Sequence, residues 1–297
     1  MGSKPSRAFG FVQVDVFTDR VFGGNPLAVF PDGQGLSTEE MQAIAREMNL
    51  SETTFVLPAT RSDCTAKVRI FTPGIELPFA GHPTIGTSYV LSTLGQLPEG
   101  ANDIALEEGI GPVPVTIEGE QSNPTFIWMK HPKASFGPAL PDRATIAAAL
   151  ALDEADLLPD KPIRVGSTGL PFLYIPLLNP ETVDRAALDS NTLLNIHGTS
   201  DARGVFIFAP DSATGPNHVY SRMLGVGVGI AEDPATGSAS GPLGAYLVRE
   251  GIVPAGGEVE IISQQGTKMG RQSWVHIRLK RAGDDWTIQV GGMTVPC

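Results

Sequence analysis

The sequence predicts an α+β fold built from two copies of one unit. Three observations carry this. Strand patterns outnumber helix patterns along the chain. The 34 glycines and 25 prolines among 297 residues demand many tight turns and short strands. Segments of the first half recur, in order, in the second.

Phe11 to Phe17 alternates at period two and reads as a strand. The loop Gly23-Gly24-Asn25-Pro26 follows, then a short apolar run from Leu27 to Phe30. Ser37 and Thr38 are N-cap candidates, with Glu39 and Glu40 in the first turn, where acids suit the helix dipole. Met41, Ile44, Ala45 and Met48 fall at i, i+3, i+4 and i+7 and predict an amphipathic helix ending near Asn49. Residues 53–57 and 67–71 read as strands. Residues 81–94 read as a helix with a proline in its first turn, and 113–117 and 125–129 as further strands.

The repeat appears as a series of matched segments. Glu52-Thr53-Thr54-Phe55 matches Arg203-Gly204-Val205-Phe206 at an offset of 151, and Val68-Arg69-Ile70-Phe71 matches Ser221-Arg222-Met223-Leu224 at 153. Ala80-Gly81-His82 matches Thr236-Gly237-Ser238 at 156, Glu108-Gly109 matches Gln265-Gly266 at 157, and Ile117 matches Ile277 at 160. The two helices meet a glycine at the same distance, Gly95 and Gly251. The common order and slow drift argue for duplication, with domains expected at 1–131 and 132–297 and the last strand able to pair with the N-terminal copy.

Composition excludes several function classes. The chain carries 32 acidic against 21 basic residues, net −11, which repels phosphate backbones, so no nucleic-acid partner is expected. Cys64 and Cys297 are too few for a disulfide framework or a cysteine zinc site. Among the histidines, His131, His197, His218 and His276 show no metal-ligand spacing, and no metal is expected. Gly225-Val226-Gly227-Val228-Gly229 is not a dinucleotide fingerprint, and no phosphate loop occurs. The opening Met1-Gly2-Ser3-Lys4-Pro5 lacks an apolar core and no 18-residue apolar run exists, so no signal peptide or membrane span is expected. The first eight residues read as a tail, and the cytoplasm is the expected compartment.

The candidate chemistry gathers at the paired helix starts. Gly81-His82-Pro83-Thr84 and Gly237-Ser238-Ala239-Ser240 offer unpaired amides and a partial positive charge to an anion, and small residues let the backbone approach it. Two ordinary glycine-containing helix starts would look the same. In Glu232-Asp233-Pro234-Ala235-Thr236-Gly237-Ser238, Asp233 reads either as a capping acid or as a group that orients an imidazole or an amine. Glu52 opens a strand and aligns with Arg203. One acid in a symmetric scaffold suits a single-site proton shuttle, while a solvated surface acid is the commoner fate of a glutamate. His82, at a helix start beside glycine and proline, is placed for proton transfer.

Residues 22–29 (Phe-Gly-Gly-Asn-Pro-Leu-Ala-Val), 49–56 (Asn-Leu-Ser-Glu-Thr-Thr-Phe-Val), the stretch from Arg69 to Thr84, and 232–239 (Glu-Asp-Pro-Ala-Thr-Gly-Ser-Ala) resemble the PhzF family of phenazine-biosynthesis-like proteins, in order and over nearly the whole chain. The resemblance implies the diaminopimelate epimerase fold: two pseudo-symmetric α+β domains, each a curved, mostly antiparallel sheet around a central helix, with the site between them. It implies isomerisation of trans-2,3-dihydro-3-hydroxyanthranilate or a similar small carboxylate, without cofactor or metal. Glu52 is then the proton-shuttling acid and base, with His82, Asp233 and Ser238 as polar partners, and with Asn25, Gly81 and Gly237 as substrate-binding residues. Gln264 and Gln272 depart from the family's Glu-Gln-Gly and Met-Gly-Arg-Pro-Ser, which touches substrate identity more than chemistry. An epimerase or racemase on the same scaffold stays open, a two-thiol version being disfavoured by the positions of Cys64 and Cys297. A non-catalytic ligand-binding or protein-interaction member also stays open. A homodimer is expected from base rates alone.

Overall fold

The capping box expected at Ser37 is formed. Ser37 Oγ accepts the Glu40 amide at 3.2 Å, and Glu40 Oε2 accepts the Ser37 amide at 2.8 Å. They start α1 (Thr38–Met48), which Asn49 ends in the left-handed region at φ 52°. The structure, a computed structural model, describes residues 8–196, 198–199, 202–226, 231–283 and 285–297. Residues 1–7 of the expected tail, His197, and 227–229 of the glycine string lie outside the described residues.

Around α1 the first half is laid out as follows. β1 (Val12–Val16) is antiparallel to β2 (Asn25–Phe30), and β2 is parallel to β3 (Glu52–Leu57). β4 (Ala66–Phe71) runs antiparallel to β3, and the two-residue β5 (Glu76–Leu77) turns back on β4. After α2 (Gly81–Thr93), β6 (Asp103–Glu108) lies parallel to β4, and β7 (Gly111–Glu120) and β8 (Asn123–Lys130) complete an antiparallel meander.

The second half repeats these pairings. After β9 (Ser135–Phe136) and α3 (Arg143–Ala148), β10 (Arg164–Ser167) is antiparallel to β11 (Pro171–Pro176). α4 (Pro180–Arg185) and α5 (Ser190–Leu194) lead to β12 (Gly204–Pro210), parallel to β11. β13 (His218–Gly225) is antiparallel to β12 and receives the short β14 (Glu232–Asp233). After α6 (Gly237–Arg249), β15 (Glu258–Gln265) lies parallel to β13, and β16 (Ser273–Ala282) and β17 (Asp285–Gly292) close the meander. Two pairings stitch the halves together: β8 with β17, and β1 with β18 (Thr294–Pro296). The fold is α+β, as expected, and mostly antiparallel.

The ladders refine the repeat by one residue. Phe71 lies opposite Thr53, and Leu224 opposite Val205. Keeping the match of Phe71 to Leu224, the counterpart of Glu52 is Gly204, not Arg203. A one-residue slip in a strand turns a side chain to the other face, so the sequence alignment had compared opposite faces.

α2 and α6 are buried nearly all round. Each leaves only two of its residues outside the buried class, and neither carries the single apolar stripe of a surface helix. Small residues let the sheets close on them. A side chain at Gly86 would meet Leu27 and Val16, and one at Gly244 would meet Ile277. Their hydroxyls are engaged, Ser88 with Thr84 O at 2.8 Å and Ser240 with Thr236 O at 2.9 Å within their own helices, and Thr87 with Thr54 of β3 at 2.9 Å. Val14, Val16, Leu27 and Ile85 belong to the core around α2, and Phe208, Leu243, Tyr246 and Ile277 to that around α6.

The two buried helices meet end to end. A Cβ built on Gly81 would lie 2.5 Å from Gly237 Cα, and one on Gly237 would lie 2.9 Å from Gly81 Cα. Their first turns therefore share one space. Backbone faces backbone there, so Gly81→Ala or Gly237→Ala is expected to cost about 1–3 kcal/mol of stability, read as a lower urea midpoint. Gly257→Ala, at a position with open space around it, is the control. Equal midpoints for all three variants would contradict the contact.

Candidate active site

The site residues come from five element starts and ends. Asn25 is the first residue of β2, Glu52 the first of β3, His82 the second of α2, Asp233 the last of β14, and Ser238 the second of α6. The loop before β2 is held from the far half. The Arg271 guanidinium donates to the Asp15 carboxylate, to Gly24 O at 2.9 Å and to Gly23 O at 2.7 Å. Asp15 Oδ2 also accepts the Phe22 amide at 2.7 Å. This fixes the approach to Asn25, which is fully buried.

Asn25 links the halves. Its Nδ2 donates to Asp233 Oδ1 at 2.7 Å and to Ala235 O at 2.9 Å, and lies 3.1 Å from His82 Nδ1. The Thr236 hydroxyl donates to Asp233 Oδ2 at 2.6 Å. Asp233 thus takes a side-chain amide and a hydroxyl rather than a helix amide. The Thr236 amide goes instead to Gln265 Oε1 at 3.0 Å. Of the two expected roles for Asp233, helix capping is the one the geometry drops.

His82 Nε2 faces Glu52 Oε2 at 3.3 Å, without hydrogen-bond alignment. Both atoms are buried and lack hydrogen-bond partners among the described residues. Burial pushes the His82 imidazole down to about 3, so it is neutral at ordinary pH. The Asn25 amide nitrogen beside Nδ1 accepts no hydrogen, which disfavours a proton there and leaves the ring proton for Nε2, on the Glu52 side. Burial raises the Glu52 carboxyl well above the usual range, and the nearby Asp233 charge raises it further. Asp233 is pushed up to about 6 by burial, against the hydrogen bonds from Thr236 and Asn25. The two carboxyls therefore titrate as a pair.

Glu52, Asp233, Thr236, Ser238 and Ala80 line a narrow cavity of about 50 Å³. Leu77, Leu170, Phe172 and Met223 supply its apolar wall, and Arg203 lies at its rim. Asn25, Glu52, His82, Asp233, Ser238, Gly81 and Gly237 are thus brought together. Sequence reasoning gave no role to Arg271, Thr236, Gln265 or Glu108. The match of Glu108 with Gln265 in the repeat was the available signal for the last two. The other described histidines lie elsewhere: His131 bonds Thr168, His276 pairs with Glu260, and His218 lies near Trp274. Neither Cys64 nor Cys297 lines the cavity. Among the described residues no group of three His, Cys, Asp or Glu side chains is placed to hold a metal ion. No helix there is long and apolar enough to cross a membrane.

The family model of phenazine biosynthesis-like proteins, PhzC-PhzF, matches residues 14–297. The chain belongs to this family. It is 37% identical over 275 residues to a trans-2,3-dihydro-3-hydroxyanthranilate isomerase of Pseudomonas aeruginosa, covering 92% of this chain and 91% of that protein. It superposes with TM-score 0.87 on a PhzF-family phenazine biosynthesis protein of Bacillus anthracis at 28% identity, covering 97% and 96% of the two chains. A hydroxyproline epimerase of Agrobacterium vitis shares the fold at TM-score 0.67 and 12% identity, covering 97% and 90%. The curated relatives carry isomerase names, and isomerase is the enzyme class of this chain.

The raised acid at Asp233 gives a test with a definite sign. A group whose folded pKa is raised stabilises the fold fully below its unfolded value and loses that contribution as pH rises through the folded one. Between about pH 4 and about pH 7, spanning its ordinary value and about 6, Asp233→Asn should gain in urea midpoint relative to the unsubstituted protein. A gap that does not change with pH would show Asp233 ionised throughout.

Proposed function

We propose that the protein is a cofactor-independent isomerase that removes and returns a proton on a small, carboxylated, cyclic metabolite resembling trans-2,3-dihydro-3-hydroxyanthranilate. One observation carries this. A glutamate with a raised pKa, its side chain 12% exposed, lines the cavity with one carboxyl oxygen buried and unpartnered, beside a neutral imidazole and two abutting helix N-termini. A carboxyl whose charged form is disfavoured by burial can both accept and redeliver a proton.

In this reading Glu52 is the shuttle. His82 keeps its Nε2–H toward Glu52 and orients the carboxyl as it gains and loses charge. Asp233, held by Asn25 and Thr236, is the polar group across the cavity and the second member of the coupled pair. The amides of the first turns of α2 and α6, at Gly81 and Gly237, hold the carboxylate of the substrate, with the Ser238 hydroxyl beside them. The apolar wall covers the ring and excludes water, which strengthens each of these contacts. The site lies between two domains, 1–131 and 132–297, a division supported by the repeated strand pairings.

Glutamine keeps the shape of glutamate but cannot carry the proton. Glu52→Gln should therefore lower kcat on trans-2,3-dihydro-3-hydroxyanthranilate by about 10²–10⁴-fold or more, with little change in affinity for a small carboxylate. Retention of more than about a tenth of the rate would move the shuttle role to Asp233. His82→Asn should slow the reaction less than Glu52→Gln, because it removes an orienting group rather than the proton carrier. The reverse order of the two effects would exchange their roles.

A further inference from the structure

Glu108 ends β6 behind the first turn of α2, and no step above uses it. It is 6% exposed, and its Oε2 has no hydrogen-bond partner among the described residues. The ladders make it the counterpart of Gln265. Glu107 lies opposite Lys67 in the parallel pair of β6 with β4, and Gln264 lies opposite Tyr220 in that of β15 with β13. Each of the two residues that follow, Glu108 and Gln265, stands at the start of a buried helix. Gln265 Oε1 accepts the Thr236 amide at 3.0 Å, and its Nε2 donates to the Thr236 hydroxyl at 3.0 Å. Glu108 Oε1 lies 2.6 Å from Thr84 Oγ1. A neutral amide stands in one half where a carboxyl stands in the other.

The Thr84 hydroxyl sets the protonation. Its oxygen lies 2.6 Å from Ala80 O and 2.6 Å from Glu108 Oε1. A hydroxyl has one hydrogen. The bond to Ala80 O is the same back-bond that Ser240 makes to Thr236 O in the other half. With the hydrogen engaged there, the second short contact needs a proton from Glu108. Burial also pushes Glu108 up to about 8, against the contacts with Thr84 and Ala80.

We propose that Glu108 is a positioning residue that carries its proton and donates it to Thr84, so that no negative charge stands behind the first turn of α2 and its amides stay free for the carboxylate of the substrate. This rests on the assignment of that carboxylate to the helix starts in the proposed function. The charged neighbours in the groove outside Glu108 are largely paired off: Lys67 of β4 with Glu107 of β6 at 3.6 Å, and Arg69 of β4 with Glu76 of β5 at 2.7 Å. On the cavity side stand His82 of α2, Glu52 of β3 and Asp233 of β14.

The experiment needs no turnover. Binding of 2-aminobenzoate, a plain cyclic carboxylate, is measured by calorimetry on the full chain and on Glu108→Gln. At about pH 7, below the value near 8, the two affinities should agree within about twofold. At about pH 9 the unsubstituted protein should bind about three- to thirty-fold more weakly than Glu108→Gln, the range expected for a charge at a helix end. Any pH dependence that remains in the variant belongs to Glu52 and Asp233. A ratio that is the same at both pH values overturns the proposal and leaves the proton shuttle at Glu52 untouched. Failure of 2-aminobenzoate to bind the unsubstituted protein at about pH 7 removes the anion site at the helix starts, and the proposal with it. Carboxyl ¹³C shifts of glutamate-labelled unsubstituted protein give the same answer should the variant fail to fold. A Glu108 carboxyl already ionised at about pH 6 would refute it.

Discussion

The backbone contact between Gly81 and Gly237 is the constraint on which the rest depends. Two helix starts can share one space only if neither carries a side chain there. The contact fixes the relative position of the two halves at their centre and aims two partial positive charges at a single cavity. It also explains why α2 and α6 are built from small residues. Helices that run inward to meet at the core are covered by sheet on every side, and large side chains would keep the strands away. Phe17 follows from the same crowding. It takes φ 67°, unusual for a non-glycine residue, and its ring packs against Gly237 and Gly292.

Burial without pairing sets the electrostatics. Glu52, His82 and Glu108 are shielded from water, yet each keeps a polar atom with no hydrogen-bond partner among the described residues. Desolvation then favours the neutral form of each, raising the acids and lowering the imidazole. Groups in that state are costly to the fold and useful to proton transfer, because little reorganisation separates their charged and neutral forms. Arg222 shows the contrast. It is buried too, but it is matched by the Glu232 carboxylate and the carbonyls of Val183 and Ala186, and it joins β13 to β14 and to the end of α4.

Much of this was legible in the sequence. The capping box at Ser37, the two buried helices and the strand β1 rest on local patterns and appear where the patterns put them, although β1 is buried on both faces at Val14, Asp15 and Val16 rather than alternating. The repeat was legible as well, because glycines at Gly81, Gly237, Gly95 and Gly251 mark backbone geometry that substitution cannot keep. Its register in the strands was not. Glu52 aligned with Arg203 because both precede apolar runs of the same length, and only hydrogen-bonded ladders distinguish neighbouring positions. Arg271 was invisible as a strap, since its partners Asp15, Gly23 and Gly24 lie about 250 positions away. The pairing of Glu108 with Thr84 was hidden for another reason. A glutamate at the end of a strand reads as solvated, and only the packing of α2 over the end of β6 buries this one.

The strap from Arg271 to the loop before β2 has a consequence for synthesis. Glu52 and Asn25 leave the ribosome long before Asp233 and Arg271. At about 5–20 residues per second, the delay between Glu52 and Arg271 is on the order of ten to forty seconds. Throughout that time β1 lacks its partner β18 and the Asp15 carboxylate lacks its guanidinium, and for most of it the first turn of α2 lacks the helix end it abuts. The nascent first half thus carries an open strand edge and an unmatched buried acid. Chaperone occupancy should be concentrated on that window, and it should end when the last strand emerges.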